Sequence, residues 1–196
     1  MIHLPQLLDG EVCERIYAEL SAYTTPWANF KQATDYRDMV FGLPDSWNQH
    51  LRNMIKEALQ DDDRRALLSE SVAICGGTYR DEQLHTSVYF YKYMELSTLG
   101  EHYDSRPVGD ANYGKQFASV IFYLNDNFIG GDFVVHNPAA TDLREVVICG
   151  GVPLHKKWTA RVRPLPGDAI VISNDVLHSV DVVASGNKYI GVVHCA

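Results

Sequence analysis

The sequence lacks three features that would each place it in a broad class of proteins. No apolar run approaches the roughly 20 residues that a membrane-spanning helix needs, and residues 1–5 lack the basic and apolar regions of a signal peptide. Its four cysteines show no Cys-x-x-Cys spacing, so we expect reduced, mostly buried thiols: Cys13, Cys75, Cys149 and Cys195. Together these absences predict a cytoplasmic protein without a membrane partner.

The sequence also lacks an excess of basic residues. Its formal net charge of −8 argues against general binding to nucleic acid, which requires a basic surface. The 196 residues are 46% hydrophobic and 21% charged, which is typical of a folded domain with a sizeable core. We therefore predict a single domain over residues 1–196.

Apolar residues at helical spacing predict helices in the first part of the chain. Val12, Ile16 and Leu20 form one stripe of a helix over residues 9–22, with Asp9 as its cap. A second helix begins near residue 45, and Asp61-Asp62-Asp63 is either a polar break or the acidic first turn of a further short helix. Residues 23–41 show no clear period and predict a loop with a short strand.

The pattern changes to strands after residue 85. Six segments rich in branched and aromatic residues predict strands: residues 86–96, 117–124, 132–136, 145–149, 169–173 and 189–194. Turns such as Gly130-Gly131 and Pro166-Gly167-Asp168 separate them, with no helix between. We therefore expect an antiparallel sandwich or barrel over residues 86–196, supported on one outer face by a mostly helical region, residues 1–85.

His102-x-Asp104 and the distant His178 form a candidate metal site. Residues i and i+2 of a strand point the same way, so His102 and Asp104 can bind one ion. Two imidazoles and one carboxylate are the ligands of mononuclear non-haem iron(II) sites, which keep positions open for a co-substrate and O₂. The tripeptide alone is equally typical of a surface histidine beside a turn carboxylate. His178 alone is equally typical of a histidine in a protein core.

Several motifs that occur in order resemble one enzyme family. They are Tyr91-Lys92-Tyr93, His102-x-Asp104, Phe122-Tyr123-Leu124-Asn125, Gly130-Gly131-Asp132-Phe133, Pro166-Gly167-Asp168-Ala169, Leu177-His178-Ser179-Val180 and Gly186-Asn187-Lys188-Tyr189. From about residue 89 to the C-terminus the chain resembles the Fe(II)/2-oxoglutarate-dependent dioxygenases, and within them the prolyl-4-hydroxylase-like branch. The resemblance implies a mainly β fold, the double-stranded β-helix or jelly roll, with N-terminal buttressing helices.

The resemblance also implies the cofactors and the residues that bind them. Fe(II) would be bound at the catalytic centre by His102, Asp104 and His178, with 2-oxoglutarate and O₂ as co-substrates and ascorbate in support. Lys188, Tyr123 and Tyr93 occupy positions where the family binds the far carboxylate of 2-oxoglutarate. The residues alone are equally compatible with other roles: Lys188 could be an exposed lysine at a turn, and each tyrosine could be an aromatic residue of the core.

The implied reaction is hydroxylation of an unactivated C–H bond, with succinate and CO₂ as coproducts. Asp104 favours this outcome, because halogenating relatives lack that carboxylate. We expect an amino-acid-type substrate, either a free amino acid, a derivative or a short peptide, selected by a hairpin over residues 137–163 and by residues 23–41. The alternatives are a protein prolyl hydroxylase of the same mechanism and a non-enzymatic, cupin-like metal-binding module. His194, at the end of the last strand, is interpreted as a strand-end histidine.

Overall fold

The computed structural model describes residues 1–23, 28–32, 35–39, 45–86, 88–104, 118–136 and 159–195. The helices within these ranges are α1 (Gly10–Ala22), α2 (Asp45–Ala58), α3 (Asp62–Ile74) and α4 (Asp81–Thr86). The strands are β1 (Ile2–Leu4), β2 (Ala28–Gln32), β3 (Asp35–Met39), β4 (Val88–Tyr93), β5 (Leu99–His102), β6 (Ala118–Tyr123), β7 (Phe128–Gly130), β8 (Phe133–His136), β9 (Thr159–Val162), β10 (Ala169–Ser173), β11 (His178–Val180), β12 (Val183–Gly186) and β13 (Lys188–Cys195).

The helices follow the apolar periodicity of the sequence. The Asp9 side chain caps α1 by accepting a hydrogen bond from the backbone N–H of Glu11, and Ile16 and Leu20 are buried as predicted. Asp61 caps α3, which runs to Ile74 and is therefore longer than the short helix predicted there. None of the described helices combines the length and hydropathy needed to cross a bilayer.

Seven strands form a larger, wholly antiparallel sheet in the order β1-β10-β6-β13-β4-β3-β2. Five of the six predicted strands are confirmed as β4, β6, β8, β10 and β13. The sixth, over residues 145–149, lies outside the described residues, as does most of the hairpin expected over residues 137–163.

The prediction for residues 23–41 was wrong in the number of strands. β2 and β3 pair with each other as a hairpin, and β3 also pairs with β4 through Asp38 and Met39. β3 therefore pairs with a segment more than 50 positions away, and a local hydrophobic period cannot reveal such pairing.

The alternating faces of the larger sheet pack against two separate cores. On β6, Val120 and Phe122 face the helices, whereas Ile121 and Tyr123 face a smaller sheet of order β5-β11-β8-β9. That second core includes Val135 of the smaller sheet, so the two sheets enclose it face to face. This arrangement is mainly β with helices on one outer face, as the sequence predicted.

Candidate active site

Strand pairing in the smaller sheet brings the two predicted histidine ligands together. β5 ends at His102 and β11 begins at His178, and these two residues are direct partners in the antiparallel register. Their rings lie 4.2 Å apart between centroids, although 76 positions separate them in the sequence. The register is irregular between His178 and Val180, a local break of the kind that often lies beside functional sites.

The ligand atoms of His102, Asp104 and His178, called here the metal triad, converge on one point. Asp104 Oδ1 lies 3.7 Å from His102 Nε2 and 3.6 Å from His178 Nε2, and all three ligand atoms fall within 4.8 Å of one another. A single ion can therefore contact all three.

Each histidine of the metal triad is oriented by its own strand. His102 Nδ1 lies 2.8 Å from the carbonyl oxygen of Gly100, and His178 Nδ1 lies 2.9 Å from that of Val176. Because a carbonyl only accepts hydrogen bonds, Nδ1 carries the proton in both rings and Nε2 presents its lone pair towards Asp104. This is the tautomer that metal-binding histidines adopt.

Electrostatics also favour the metal-binding protonation states. Burial lowers the pKa of His178 below its usual value, so the imidazole is neutral at pH 7. Burial alone would raise the pKa of Asp104, but the attraction of His178 and a hydrogen bond from Ser119 outweigh it, so this pKa lies below its usual value. Phe133 stacks on the His178 ring at 5.2 Å and shields it from water.

Lys188, Tyr123 and Tyr93, called here the buried trio, meet in the core between the sheets. Lys188 pairs with Tyr93 across β13 and β4, and its side chain is fully buried. Its Nζ lies 5.0 Å from the Tyr123 ring centroid and 5.4 Å from that of Tyr93, and it donates to the carbonyl oxygen of Gly131 at 2.7 Å. The alternative of an exposed turn lysine is therefore wrong.

Lys188 and Tyr123 offer hydrogen-bond donors that the described residues leave without an anionic partner. Among those residues no carboxylate lies within 4.0 Å of Lys188 Nζ, and burial lowers the pKa of this lysine to about 7. The Tyr123 hydroxyl is buried and has no hydrogen-bond partner among the described residues. Burial, and secondarily Tyr93, raises its pKa well above the usual value, so it stays a protonated donor. A buried hydroxyl without a partner and a buried ammonium without a counter-charge are both costly, and a bound carboxylate would satisfy both.

The donor sets fit iron(II) and 2-oxoglutarate. Two imidazole nitrogens and one carboxylate oxygen, without thiolate, are typical of non-haem iron(II) rather than structural zinc. The orphaned Tyr123 hydroxyl and the buried Lys188 ammonium match one carboxylate of a dicarboxylic acid.

Sequence reasoning missed two polar residues behind the triad. Ser119 Oγ lies 2.9 Å from His194 Nδ1, and Ser119 also hydrogen-bonds Asp104. Ser119 belongs to the inward stripe of β6 that continues with Ile121 and Tyr123. A polar residue in an otherwise apolar inward stripe is the signal that identifies it, whereas His194, the predicted strand-end histidine, gives no local signal.

A protein-family model matches the strand-rich part of the chain. It is described as the 2OG-Fe(II) oxygenase superfamily and matches residues 87–193, more than half of the chain, a range that contains the metal triad and the buried trio. A search of curated protein sequences gave no match.

Solved structures share the fold at low sequence identity. A 2OG-Fe(II) oxygenase family oxidoreductase from Burkholderia pseudomallei is 19% identical, with 98% of this chain and 84% of that chain covered and a TM-score of 0.58. A Pseudomonas putida prolyl-4-hydroxylase is 13% identical, with 98% of this chain and 90% of that chain covered and a TM-score of 0.52. HygX from Streptomyces hygroscopicus was solved with nickel and 2-oxoglutarate, and also with hygromycin B in addition. In the complex without hygromycin B it is 12% identical, with 98% of this chain and 80% of that chain covered and a TM-score of 0.58. The predicted jelly-roll fold is thereby confirmed.

Proposed function

This chain belongs to the 2OG-Fe(II) oxygenase superfamily, and from that premise we propose that it hydroxylates an unactivated C–H bond of an amino-acid-type substrate. The substrate would be a free amino acid, a derivative or a short peptide. The enzyme uses Fe(II) and 2-oxoglutarate, so the non-enzymatic alternative is set aside.

We assign the metal triad as the iron ligands and the buried trio as the binding site for the far carboxylate of 2-oxoglutarate. One observation carries this assignment: the Tyr123 hydroxyl, which lacks a hydrogen-bond partner among the described residues, and the fully buried Lys188 lie in the same core. That core also packs against His178. When iron is bound, it allows O₂ to convert 2-oxoglutarate to succinate and CO₂, with one oxygen atom entering succinate and the other the substrate C–H bond.

The residues of this chain have three tasks in that reaction. The metal triad fixes the ion on one side through neutral imidazoles and an ionised carboxylate. Lys188 and Tyr123 orient the co-substrate by donating to one carboxylate and leave its keto acid end for the metal. Phe133 excludes water from His178.

The relatives support the substrate class only broadly. The fold serves a prolyl-4-hydroxylase in Pseudomonas putida and binds hygromycin B in HygX, so both prolyl and small-molecule substrates are compatible with it. The prolyl-4-hydroxylase similarity specifically favours a second candidate, a protein prolyl hydroxylase of the same mechanism.

The test is succinate formation from 2-oxoglutarate with Fe(II), O₂ and ascorbate, followed by a screen of amino acids, prolyl peptides and their derivatives for a mass gain of one oxygen atom. His178→Ala should abolish iron binding and turnover, because it removes one of three ligands. His50→Ala, an exposed histidine on α2, is the matched control and should keep both. Turnover retained in His178→Ala would overturn the ligand assignment, and an oxidised product without added oxygen would replace hydroxylation by another oxidation.

A further inference from the structure

Asn125 lies directly beside the chain segment that carries Lys188. It is buried, two residues beyond the end of β6, and its side chain reaches the start of β13. Asn125 Oδ1 accepts a hydrogen bond from the backbone N–H of Tyr189 at 2.7 Å, and Asn125 Nδ2 donates to the backbone carbonyl of Asn187 at 2.7 Å. One amide therefore binds the backbone on both sides of Lys188.

The orientation of this amide is fixed by its partners. A backbone N–H only donates and a backbone carbonyl only accepts, so the oxygen must face Tyr189 and the nitrogen Asn187. The second proton of Asn125 Nδ2 goes to Asn127 Oδ1, and Asn127 in turn donates to the Tyr17 hydroxyl of α1 at 2.7 Å. Both N–H donors of the amide and one acceptor site of its oxygen are therefore in use.

Asn125 takes over where the backbone ladder between β6 and β13 ends. The last direct contact past β6 is the bond from the Leu124 N–H to the Tyr189 carbonyl at 3.2 Å. Beyond it, the side-chain amide supplies the donor and the acceptor that another peptide group would supply. The start of β13 thereby keeps its register at the end of the sheet.

Register at this position decides which way Lys188 points. Successive side chains of a strand face opposite sides, so a shift by one residue would move the ammonium from the core between the sheets to the helical face. One edge of β13 is held by β4, where Lys188 pairs with Tyr93. On the opposite edge, towards β6, Asn125 binds the backbone of both neighbours of Lys188, Asn187 and Tyr189.

We propose that Asn125 is a positioning residue for co-substrate binding, holding residues 187 and 189 so that Lys188 enters the core beside Tyr123. This inference rests on the proposed role of Lys188 in binding 2-oxoglutarate. It assigns Asn125 no contact with the co-substrate or the metal.

The test variant is Asn125→Asp, which keeps the shape and the acceptor for Tyr189 but, when ionised, cannot donate to Asn187. Affinity for 2-oxoglutarate is measured by titration calorimetry on the nickel(II)-loaded protein. We expect the dissociation constant to rise at least tenfold over wild type at pH 8. Nickel affinity should stay within twofold, because the metal triad is held by other strands.

A pH profile separates this role from a general loss of structure. A protonated carboxyl can donate to Asn187 and accept from Tyr189, so it restores both backbone bonds and loses only the bond to Asn127. The defect relative to wild type should therefore shrink to less than threefold at pH 6, because burial keeps the introduced carboxyl protonated there. Asn53→Asp, on an exposed face of α2, controls for the added charge and should bind as wild type does at both pH values.

Two further measurements decide between this inference and the proposed function. An aqueous amine-reactive reagent with mass spectrometric detection should leave Lys188 unlabelled in wild type and label it in Asn125→Asp, a readout that requires no co-substrate. In a Lys188→Ala background, Asn125→Asp should weaken 2-oxoglutarate binding by less than a further twofold. If Lys188 becomes labelled while Lys188→Ala itself binds 2-oxoglutarate normally, Asn125 positions Lys188 but the proposed anion site is wrong.

The inference is overturned if folded Asn125→Asp binds 2-oxoglutarate like wild type at pH 8 while Lys188→Ala does not. It is equally overturned if Lys188 stays unlabelled, or if the loss adds fully to that of Lys188→Ala. Should Asn125→Asp fail to fold at pH 8, Asn125→Ser serves as the second variant. Its hydroxyl is too short to hold both backbone groups and introduces no buried charge, and the same loss and labelling are expected.

Discussion

The metal triad and the buried trio are held in place by different means. Both histidines of the triad donate Nδ1–H to the carbonyl of the residue two positions earlier, so each is oriented by its own strand. Lys188 and Tyr123 have no such local partner. Lys188 donates to the carbonyl oxygen of Gly131, 57 positions away, and the Tyr123 hydroxyl has no hydrogen-bond partner among the described residues. The two histidines are therefore satisfied locally and ready for a cation, whereas Lys188 and Tyr123 have donors available for an anion.

This difference predicts that co-substrate affinity can be lost while metal affinity is kept. The loss of co-substrate affinity is the largest of the expected effects. Lys188→Met should weaken 2-oxoglutarate binding by about 10- to 100-fold, since hydrogen bonds to charged groups contribute about 1.5–3 kcal/mol. Metal affinity should not change, because Lys188 touches neither the ligands nor their carbonyl partners. Calorimetry with nickel(II) and then 2-oxoglutarate measures both quantities.

The control for this variant is Lys56→Met, which removes a lysine from α2 and should leave both affinities unchanged. A Lys188→Met protein that loses metal and co-substrate affinity together would show that the triad and the trio are not independent.

A second, smaller effect is the pH dependence of stability. Burial lowers the pKa of Lys188 from the usual 10.5 to about 7 in the folded protein. Between these values the unfolded lysine is charged and the folded one is not, so the unfolded state binds more protons and the free energy of unfolding rises with pH. One group contributes at most about 1.4 kcal/mol per pH unit. The penalty of burying the charge is therefore greatest at and below pH 7 and is relieved as the pH rises.

Urea unfolding at pH 7, 8 and 9 measures this slope in the protein without co-substrate. Wild type should gain stability relative to Lys188→Met across that range. Taking the difference between the two proteins cancels the contribution of buried thiols such as Cys195, whose pKa is raised to about 12. A difference independent of pH would contradict the buried, weakly paired state of Lys188.

The smallest expected effect separates binding from stability within the buried trio. Tyr123→Phe should weaken 2-oxoglutarate binding about fivefold, the equivalent of about 1 kcal/mol for one hydrogen bond. The thermal stability of the ligand-free protein should stay equal or rise, because the variant removes a buried hydroxyl that lacks a partner. A loss of stability without a change in affinity would mean that this hydroxyl supports the fold and not the anion.

Much of the site could be predicted because its members are identified by residue type and spacing. His102-x-Asp104 was predicted from the two-residue period of a strand, although β5 ends at His102 and Asp104 follows it. Lys188 comes two residues after a turn glycine, at the start of a long strand. Asn125 belongs to the motif Phe122-Tyr123-Leu124-Asn125, but its role could not be predicted, because its partners are backbone groups 62 and 64 positions away. Backbone partners leave no trace in residue identity.

Strand pairing set the limit for the fold in the same way. The central strands β6 and β13 are apolar on both faces and were predicted from composition. The short strands β5 and β11 were expected only from the candidate metal ligands and not from composition, because three or four residues carry too little local pattern. Their pairing brings His102 to His178.

The sequence by itself determined the chemistry available to this protein: two imidazoles, one carboxylate, one lysine and a set of tyrosines in an order that resembles an oxygenase. Tertiary structure alone decided which of these groups meet and in what protonation state. The physical reason is that tautomer, burial and register depend on neighbours distant in the chain. Val176 and Gly100 fix the imidazole protons, and the enclosed core lowers the pKa of Lys188.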